Sequence, residues 1–176
     1  MNENQEQIVW QGKFITAKVK GKWEYVSRSR GIKAAVILAI DDDDHILLVE
    51  QFRVPLGKPC LELPAGLIGD DDSAPDEDVV TAAIRELEEE TGYTAARMEI
   101  AGEFYSSPGM ISESFTLLRA YGLSRIGPGG GVEGEDITVH RVALSDLPQF
   151  VEAARNRGLG IDVRLMMLLA PQIMGG

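Results

Sequence analysis

Apolar residues recur along this chain at two spacings, and the change from one to the other outlines its elements. Val80, Ile84 and Leu87 stand at i, i+4 and i+7, which lines them up on one stripe of an α-helix. The pattern predicts a helix over 76–91 that stops at Gly92, because glycine readily takes the left-handed conformation that closes helices. Elsewhere, short runs rich in β-branched and aromatic residues read as strands. Residues 8–20 and 23–28 form one expected pair joined at Gly21-Lys22, and 33–40 and 45–51 a second hairpin around Asp41-Asp42-Asp43-Asp44. Further strands are expected at 60–63, 96–105, 114–121 and 137–143, and helices at 145–155 and 162–170 with Ser145 and Asp162 as N-caps. Strands and helices in this order predict an α/β or α+β chain, with mixed sheets and helices packed outside.

Composition narrows the class. The 176 residues, 44% of them hydrophobic and 26% charged, suffice for one soluble domain with a sizeable core, and no repeat interrupts them. A net charge of −11 disfavours nucleic-acid binding, which needs a basic surface, but leaves small anionic substrates open once bound cations invert the local potential. Cys60 is the only cysteine, so no intrachain disulfide can form and a reducing cytoplasm fits; beside an apolar strand it reads as a small buried residue rather than a nucleophile. The first seven residues lack the pattern of a signal peptide, and the longest apolar run, 34–40, is far short of the ~20 residues of a spanning helix, so no membrane partner is expected.

Several eye-catching stretches carry little. The Asp41–Asp44 run lacks the spacing, glycine and distal glutamate of a calcium loop and reads as a solvated turn. Gly127-Pro128-Gly129-Gly130-Gly131 lacks G-x-G-x-x-G spacing and a following helix, and reads as a mobile loop. His45 and His140 have no second ligand at metal spacing, and no G-x-S-x-G is present.

The helix at 76–91 is different. Glu86, Glu89 and Glu90 stand at i, i+3 and i+4 and share one helical face, with Glu86 and Glu90 placed some 60–160° from the apolar stripe. Like charges so spaced cost an isolated helix roughly 0.2–0.5 kcal/mol per pair. A hard divalent cation such as Mg²⁺ would turn that repulsion into coordination and could bridge the carboxylates to substrate phosphates.

Leu61-Glu62-Leu63-Pro64-Ala65-Gly66, then Glu77, then Arg85-Glu86-Leu87-Glu88-Glu89-Glu90-Thr91-Gly92-Tyr93, resembles the Nudix box, G-x5-E-x7-R-E-U-x-E-E-x-G-U with U a bulky apolar residue. One departure stands out: ten residues, not five, separate Gly66 from Glu77, which reads as a loop insertion with a possible extra helical turn capped by Ser73 or Asp72. Ser107-Pro108-Gly109-Met110-Ile111-Ser112-Glu113 is similar to the S-P-G-x-S-x-E loop of ADP-ribose pyrophosphatases in that superfamily, with Pro108 sixteen residues beyond Gly92. Glu50-Gln51-Phe52-Arg53 resembles the E-Q-x-R strand end of the same subfamily, and Gly12-Lys13-Phe14 and Lys22-Trp23-Glu24-Tyr25 its adenine-holding segments.

The resemblance implies a Nudix α/β/α sandwich over 33–176, with an N-terminal antiparallel β-hairpin region at 1–32 that dimerises and binds the base. It implies Mg²⁺, with Mn²⁺ a possible substitute, on Glu86, Glu89, Glu90 and the Ala65 carbonyl; Glu89 and Glu90 also count among the catalytic residues. Glu113 would take or orient the water's proton. Arg53 would pair with a phosphate, Phe14 and Trp23 would stack on adenine, and Glu24, Pro108 and Gly109 would complete the substrate site. Gly66, Glu77, Arg85 and Gly92 shape the box, Arg85 by pairing with Glu77 or Glu62. The implied activity is hydrolysis of ADP-ribose, a nucleoside diphosphate sugar, to AMP and ribose 5-phosphate by a cytoplasmic homodimer. GDP-mannose or broad nucleotide-sugar hydrolysis, a non-catalytic ADP-ribose sensor and a merely solvated acidic domain are the alternatives.

Overall fold

The computed structural model describes residues 5–29, 33–68 and 78–175. Glu77, residue 76 of the expected helix and the insertion with its caps Ser73 and Asp72 lie outside the described residues. The first sheet comprises β1 (Gln7–Gln11), β2 (Ile15–Lys20) and β3 (Trp23–Arg28). After these come β4 (Lys33–Ala39), β5 (His45–Arg53), β6 (Lys58–Glu62), β7 (Ala65–Ile68) and helix α1 (Val79–Thr91). The remainder is β8 (Tyr93–Tyr105), β9 (Ser114–Arg125), β10 (Ile137–Ala143), helix α2 (Leu147–Asn156), β11 (Gly160–Ile161), a 3-10 turn at Val163–Met167 and the short α3 (Ala170–Ile173).

β4 and β5 do not form the expected hairpin. They meet at one bridge, Ile40 with Ile46, and then part into different sheets, β7-β4-β9-β8 and β10-β5-β6-β11. The reason is their composition. Each is apolar on both faces, and such a strand needs a partner on both edges and a layer on both sides. β4 takes antiparallel β7 and parallel β9, whereas β5 lies between antiparallel β10 and β6, and β11 runs parallel to β6. Both sheets are therefore mixed.

Alternation along these strands builds two cores. Ala35, Ile37, Ala39 and Leu47 join Ala83 and Leu87 of α1 in one, while Val36, Ile46 and Leu48 join Leu147, Val151 and Ala154 of α2 and Leu165 in the other. Helix, sheets, helix is the resulting order, the α/β/α arrangement expected from the sequence. α1 starts at Asp78, whose carboxylate accepts from the Val80 and Thr81 amides at 3.1 and 3.3 Å. Its buried stripe is not centred as expected: Ala82, Ala83, Leu87, Glu90 and Thr91 are buried, with Val80 and Ile84 only half-buried at the margin. Two alanines let the helix approach β4 and β7 closely, and this rotation carries Glu90 inward.

Other expectations shift at the edges. The strand expected over 8–20 breaks at 12–14, where Gly12 N–H bonds to Ile15 O at 2.9 Å, and folds into β1 and β2. α2 follows Asp146 rather than Ser145, whose hydroxyl bonds to the Asp146 carboxylate instead. Asp162 does cap its segment, accepting from the Arg164 amide at 2.7 Å, but a 3-10 turn rather than a continuous helix follows, and the chain turns helical again only at Ala170, with Pro171 in the first turn of α3.

The N-terminal sheet is antiparallel, and Ile8, Val9, Trp10, Phe14 and Trp23 on it are more than half exposed. It docks on the loop before β9 through Val26, which donates to Met110 O and accepts from the Ser112 amide. Leu87→Ala should cost roughly 2–5 kcal/mol of stability, because Leu87 is fully buried between α1 and the sheet. Urea unfolding measures it, and a loss below about 1 kcal/mol would show that α1 is not seated as described.

Candidate functional site

α1 presents its C-terminal carboxylates to a cleft of about 590 Å³ whose lining includes Arg28, Arg53, Glu62, Ala65, Gly66, Glu86, Glu90, Glu113, Glu135, Asp162 and Arg164. Glu90 is only 6% exposed, and its Oε2 accepts from the Ala65 amide at 3.0 Å. Burial pushes its carboxyl up to about 8; the Ala65 amide opposes this, the nearby Glu86 and Glu135 add to it and Arg53 works against it. Glu86 lies flat against β7: a Cβ at Gly66 would collide with its carboxyl group, so only glycine lets carboxylate and strand approach this closely. Arg85 Nη1 lies 3.0 Å from Glu86 Oε1 and 3.1 Å from Glu89 Oε2. Of its two expected partners, Glu77 lies outside the described residues, and Glu62 is held by Arg53 and Arg164.

The glycine-rich stretch after β9 is not a free loop. It wraps the end of α1: Gly130 N–H donates to Glu90 O at 2.9 Å and Gly131 N–H to Glu89 O at 3.0 Å, which satisfies carbonyls that a helix end leaves unpaired. Gly92 closes α1 at φ 73°, and a side chain on Gly129 would strike the Thr91 backbone. This wrap delivers Glu135 to the cleft, a residue that no spacing in the sequence singled out.

Two arginines, each paired with a carboxylate, line the same cleft. Arg53 grips the buried Glu62 with both prongs, Nε to Oε1 at 2.6 Å and Nη2 to Oε2 at 2.8 Å. Arg53 therefore reaches the cleft with two donor positions already engaged. Arg164 binds Asp162 through Nε and Nη2 at 2.6 and 2.7 Å and reaches Glu62 at 3.4 Å. Nothing in its local sequence marked Arg164, since the fold alone brings the turn after β11 to this cleft. Cys60 lines the same cleft, and burial raises its thiol to about 11, which suits a packing residue and not a nucleophile.

Glu113 enters from the loop before β9 and is held by Arg28 of β3, Nε to Oε1 at 2.5 Å. Pro108 and Gly109 do not line this cleft; with Trp23, Tyr25 and Ser112 they border a separate hollow of about 290 Å³. Phe14 lies elsewhere on the sheet beneath Lys13, and Glu24 borders a third hollow with Met110. The structure thus gathers Glu86, Glu90, Ala65, Gly66, Arg53 and Glu113 into one cleft, and leaves Trp23, Phe14 and Glu24 outside it.

Among the described residues no three carboxylate, imidazole or thiol groups form a ready-made cage for a metal ion. Arg85 draws Glu89 aside, and one Glu90 oxygen serves Ala65. The donor chemistry nevertheless fits a hard divalent cation. Glu90 is a buried carboxyl with Glu86 and Glu135 as acidic neighbours, and a cation would relieve both burial and repulsion. Among the described residues no helix is long and apolar enough to cross a membrane.

Comparison with known proteins follows the same line. The NUDIX domain family matches residues 30–152. An uncharacterized Nudix hydrolase of Schizosaccharomyces pombe is 36% identical over 161 residues, 83% of this chain and 76% of that protein. An ADP-ribose pyrophosphatase of Bacillus subtilis is 37% identical over 121 residues, 68% of this chain and 63% of its own length. A GDP-mannose pyrophosphatase of Cronobacter sakazakii is 35% identical over 159 residues, 86% and 77% of the two chains. The crystal structure of an ADP compounds hydrolase superposes with a TM-score of 0.67 at 23% identity, covering 97% of this chain and 92% of that one, and shows the shared fold.

The buried acid makes a pH-dependent prediction. The fold binds the Glu90 proton more tightly than the unfolded chain does, so between pH 4.5 and about 8 the folded state holds more protons and stability falls as pH rises. The loss is on the order of a few kcal/mol. In EDTA, the melting temperature of the wild type should drop from pH 5 to 9, and Glu90→Gln should remove most of that slope. Identical slopes for both proteins would show that Glu90 is not the group responsible.

Proposed function

The chain belongs to the NUDIX domain family, and from that premise we propose that it hydrolyses the pyrophosphate bond of ADP-ribose or a related nucleoside diphosphate sugar, releasing AMP and ribose 5-phosphate from the former. The observation that carries the reading is one cleft lined by two unlike sets of groups. The buried Glu90 and half-buried Glu86 of α1 suit a divalent cation, and arginines lining the same cleft suit a phosphate. Glu86, Glu89, Glu90 and the Ala65 carbonyl would hold Mg²⁺, with Mn²⁺ as a substitute. Bound there, the cation would polarise the pyrophosphate and stabilise charge on the attacking and leaving oxygens.

The chain's own groups supply the rest. Glu113, oriented by Arg28, takes the proton of the attacking water. Arg53 neutralises a phosphate with the donor that Glu62 leaves open. Arg85 steadies Glu86 and Glu89, and Gly66 lets Glu86 approach the strand. Residues 1–32 serve dimerisation and base binding, with Trp23, Pro108 and Gly109 of one protomer's hollow and Phe14 and Glu24 brought by its partner around the base, while 33–176 carry the chemistry. The exposed apolar side chains of the N-terminal sheet support a homodimer, the single buried cysteine fits the cytoplasm, and the −11 charge speaks against nucleic acid as a partner.

GDP-mannose is the second reading, supported by the 86% of this chain that aligns with a GDP-mannose pyrophosphatase. A product assay over nucleoside diphosphate sugars, dinucleotides and nucleoside triphosphates with Mg²⁺ decides between them, and we expect ADP-ribose to be turned over fastest. Glu90→Gln should lose most of that rate. Glu113→Gln should slow turnover by about 10²–10⁴-fold while metal affinity is kept. Binding of ADP-ribose without any product would falsify the enzymatic reading in favour of a sensor. The oligomer is checked separately: equilibrium sedimentation should give a dimer, and Trp10→Glu, on the exposed sheet face, should shift it toward monomer. A wild type that sediments as a monomer at micromolar concentration would refute the dimer.

A further inference from the structure

Arg53, Glu62, Asp162 and Arg164 form a charge-balanced quartet that lines the same cleft as the α1 carboxylates. Stability alone is a weak reason for its composition. The two-pronged contact with Arg53 already neutralises Glu62, and a second arginine there adds desolvation that a buried ion pair often fails to recover. Arg164 is nonetheless held rigidly. Asp162 fixes it through two bonds, Glu62 through a third, and its guanidinium stacks over the Phe115 ring, 5.7 Å from the centroid. These bonds use Nε and Nη2, so among the described residues Nη1 has no protein partner, and the same is true of Arg53.

Two pre-positioned guanidinium groups, each with an open amino end, line a cleft that Glu86 and Glu90 also line. A substrate with two phosphates can place its metal-dependent part at the carboxylates and still find donors here. Because the quartet is neutral as a whole, an incoming phosphate meets directed hydrogen bonds without a net repulsive charge. The quartet is built by β5, β6 and the turn after β11, whereas the hollow assigned to the base belongs to β3 and the loop before β9. With the base in that hollow, as proposed above, the phosphate at the quartet would be the one distal to the nucleoside.

Building on the nucleotide-sugar reading, we propose that Arg164 is a substrate-binding residue that, beside Arg53, grips the phosphate distal to the nucleoside. The two reaction products separate this role from a structural one, since ribose 5-phosphate contains the distal phosphate and AMP does not. Calorimetric titration of the full chain with Mg²⁺ and each product should show Arg164→Ala weakening ribose 5-phosphate by about tenfold or more, as expected for loss of a hydrogen bond to a charged group. AMP affinity should stay within about twofold. Arg164→Lys, which keeps the charge but not the fork, should fall between wild type and Arg164→Ala and guards against misfolding of the alanine variant. In turnover, KM for ADP-ribose should rise while kcat changes little.

Equal weakening of both products, or of neither, overturns the assignment. A wild type that binds no ribose 5-phosphate overturns it as well. If ribose 5-phosphate binding depends on Arg164 but no nucleotide sugar is hydrolysed, the phosphate site stands and the enzymatic reading falls.

Discussion

The structure turns on one uncomfortable group, the carboxyl of Glu90. Burial of a carboxylate costs free energy unless hydrogen bonds or a cation compensate, and here one backbone amide, from Ala65, is the only hydrogen-bond donor given to its side chain among the described residues. The surroundings sharpen the problem, because Glu86 and Glu135 both oppose its ionisation. Much of the local fold serves to keep it there. Two alanines draw α1 onto the sheet, Gly66 makes room for the neighbouring carboxylate, and a glycine-rich wrap satisfies the carbonyls of Glu89 and Glu90 so that the helix can end beside the cleft. A site arranged to hold a proton that it would readily exchange for a divalent cation is costly as pure structure and makes sense as chemistry.

How much of this was legible in the sequence depends on the range over which each feature is determined. The α1 carboxylates, Gly66 and the end at Gly92 are set by local spacing, and the structure puts Glu86 and Glu90 at the cleft. The direction of Glu90 was not legible, because Ala82 and Ala83 carry little hydrophobic weight in a periodicity yet decide how closely the helix packs. β4 and β5 show the same limit. Their apolar runs were visible, but a turn of four aspartates looks identical whether the strands pair or diverge, and the partners that separate them lie up to 98 residues away, as His45 and Ala143 do. Glu135 and Arg164 were missed for the same reason: each reaches the cleft only through tertiary contacts that no local motif encodes.

The distribution of charge has a logic that the net value of −11 conceals. The acidic wall is unbalanced, whereas the quartet in the same cleft pairs two arginines with Glu62 and Asp162 and is close to neutral. Uniformly acidic walls would repel a diphosphate, and uniformly basic walls would remove the reason for a divalent cation. Separating the two lets one ligand satisfy both walls. Specificity then rests on how far apart they stand and which donors remain open, properties of the tertiary fold and not of the box motif.

The N-terminal sheet enters this scheme through a short mechanical chain. Two backbone bonds fix Val26 against the loop before β9, and Arg28 holds the carboxylate at that loop's end. β3 therefore positions Glu113, although the sheet contributes little else to the cleft. Trp10, in register with Ala17 and Val26, meanwhile lies more than half exposed on one face of the sheet and Trp23 on the other, an arrangement in which the face of Trp10 favours a covering partner. A partner on that face would stiffen the strand that carries Arg28. The base binding and subunit contact proposed for this sheet thus lie one ion pair, at 2.5 Å, from the carboxylate proposed to take the proton.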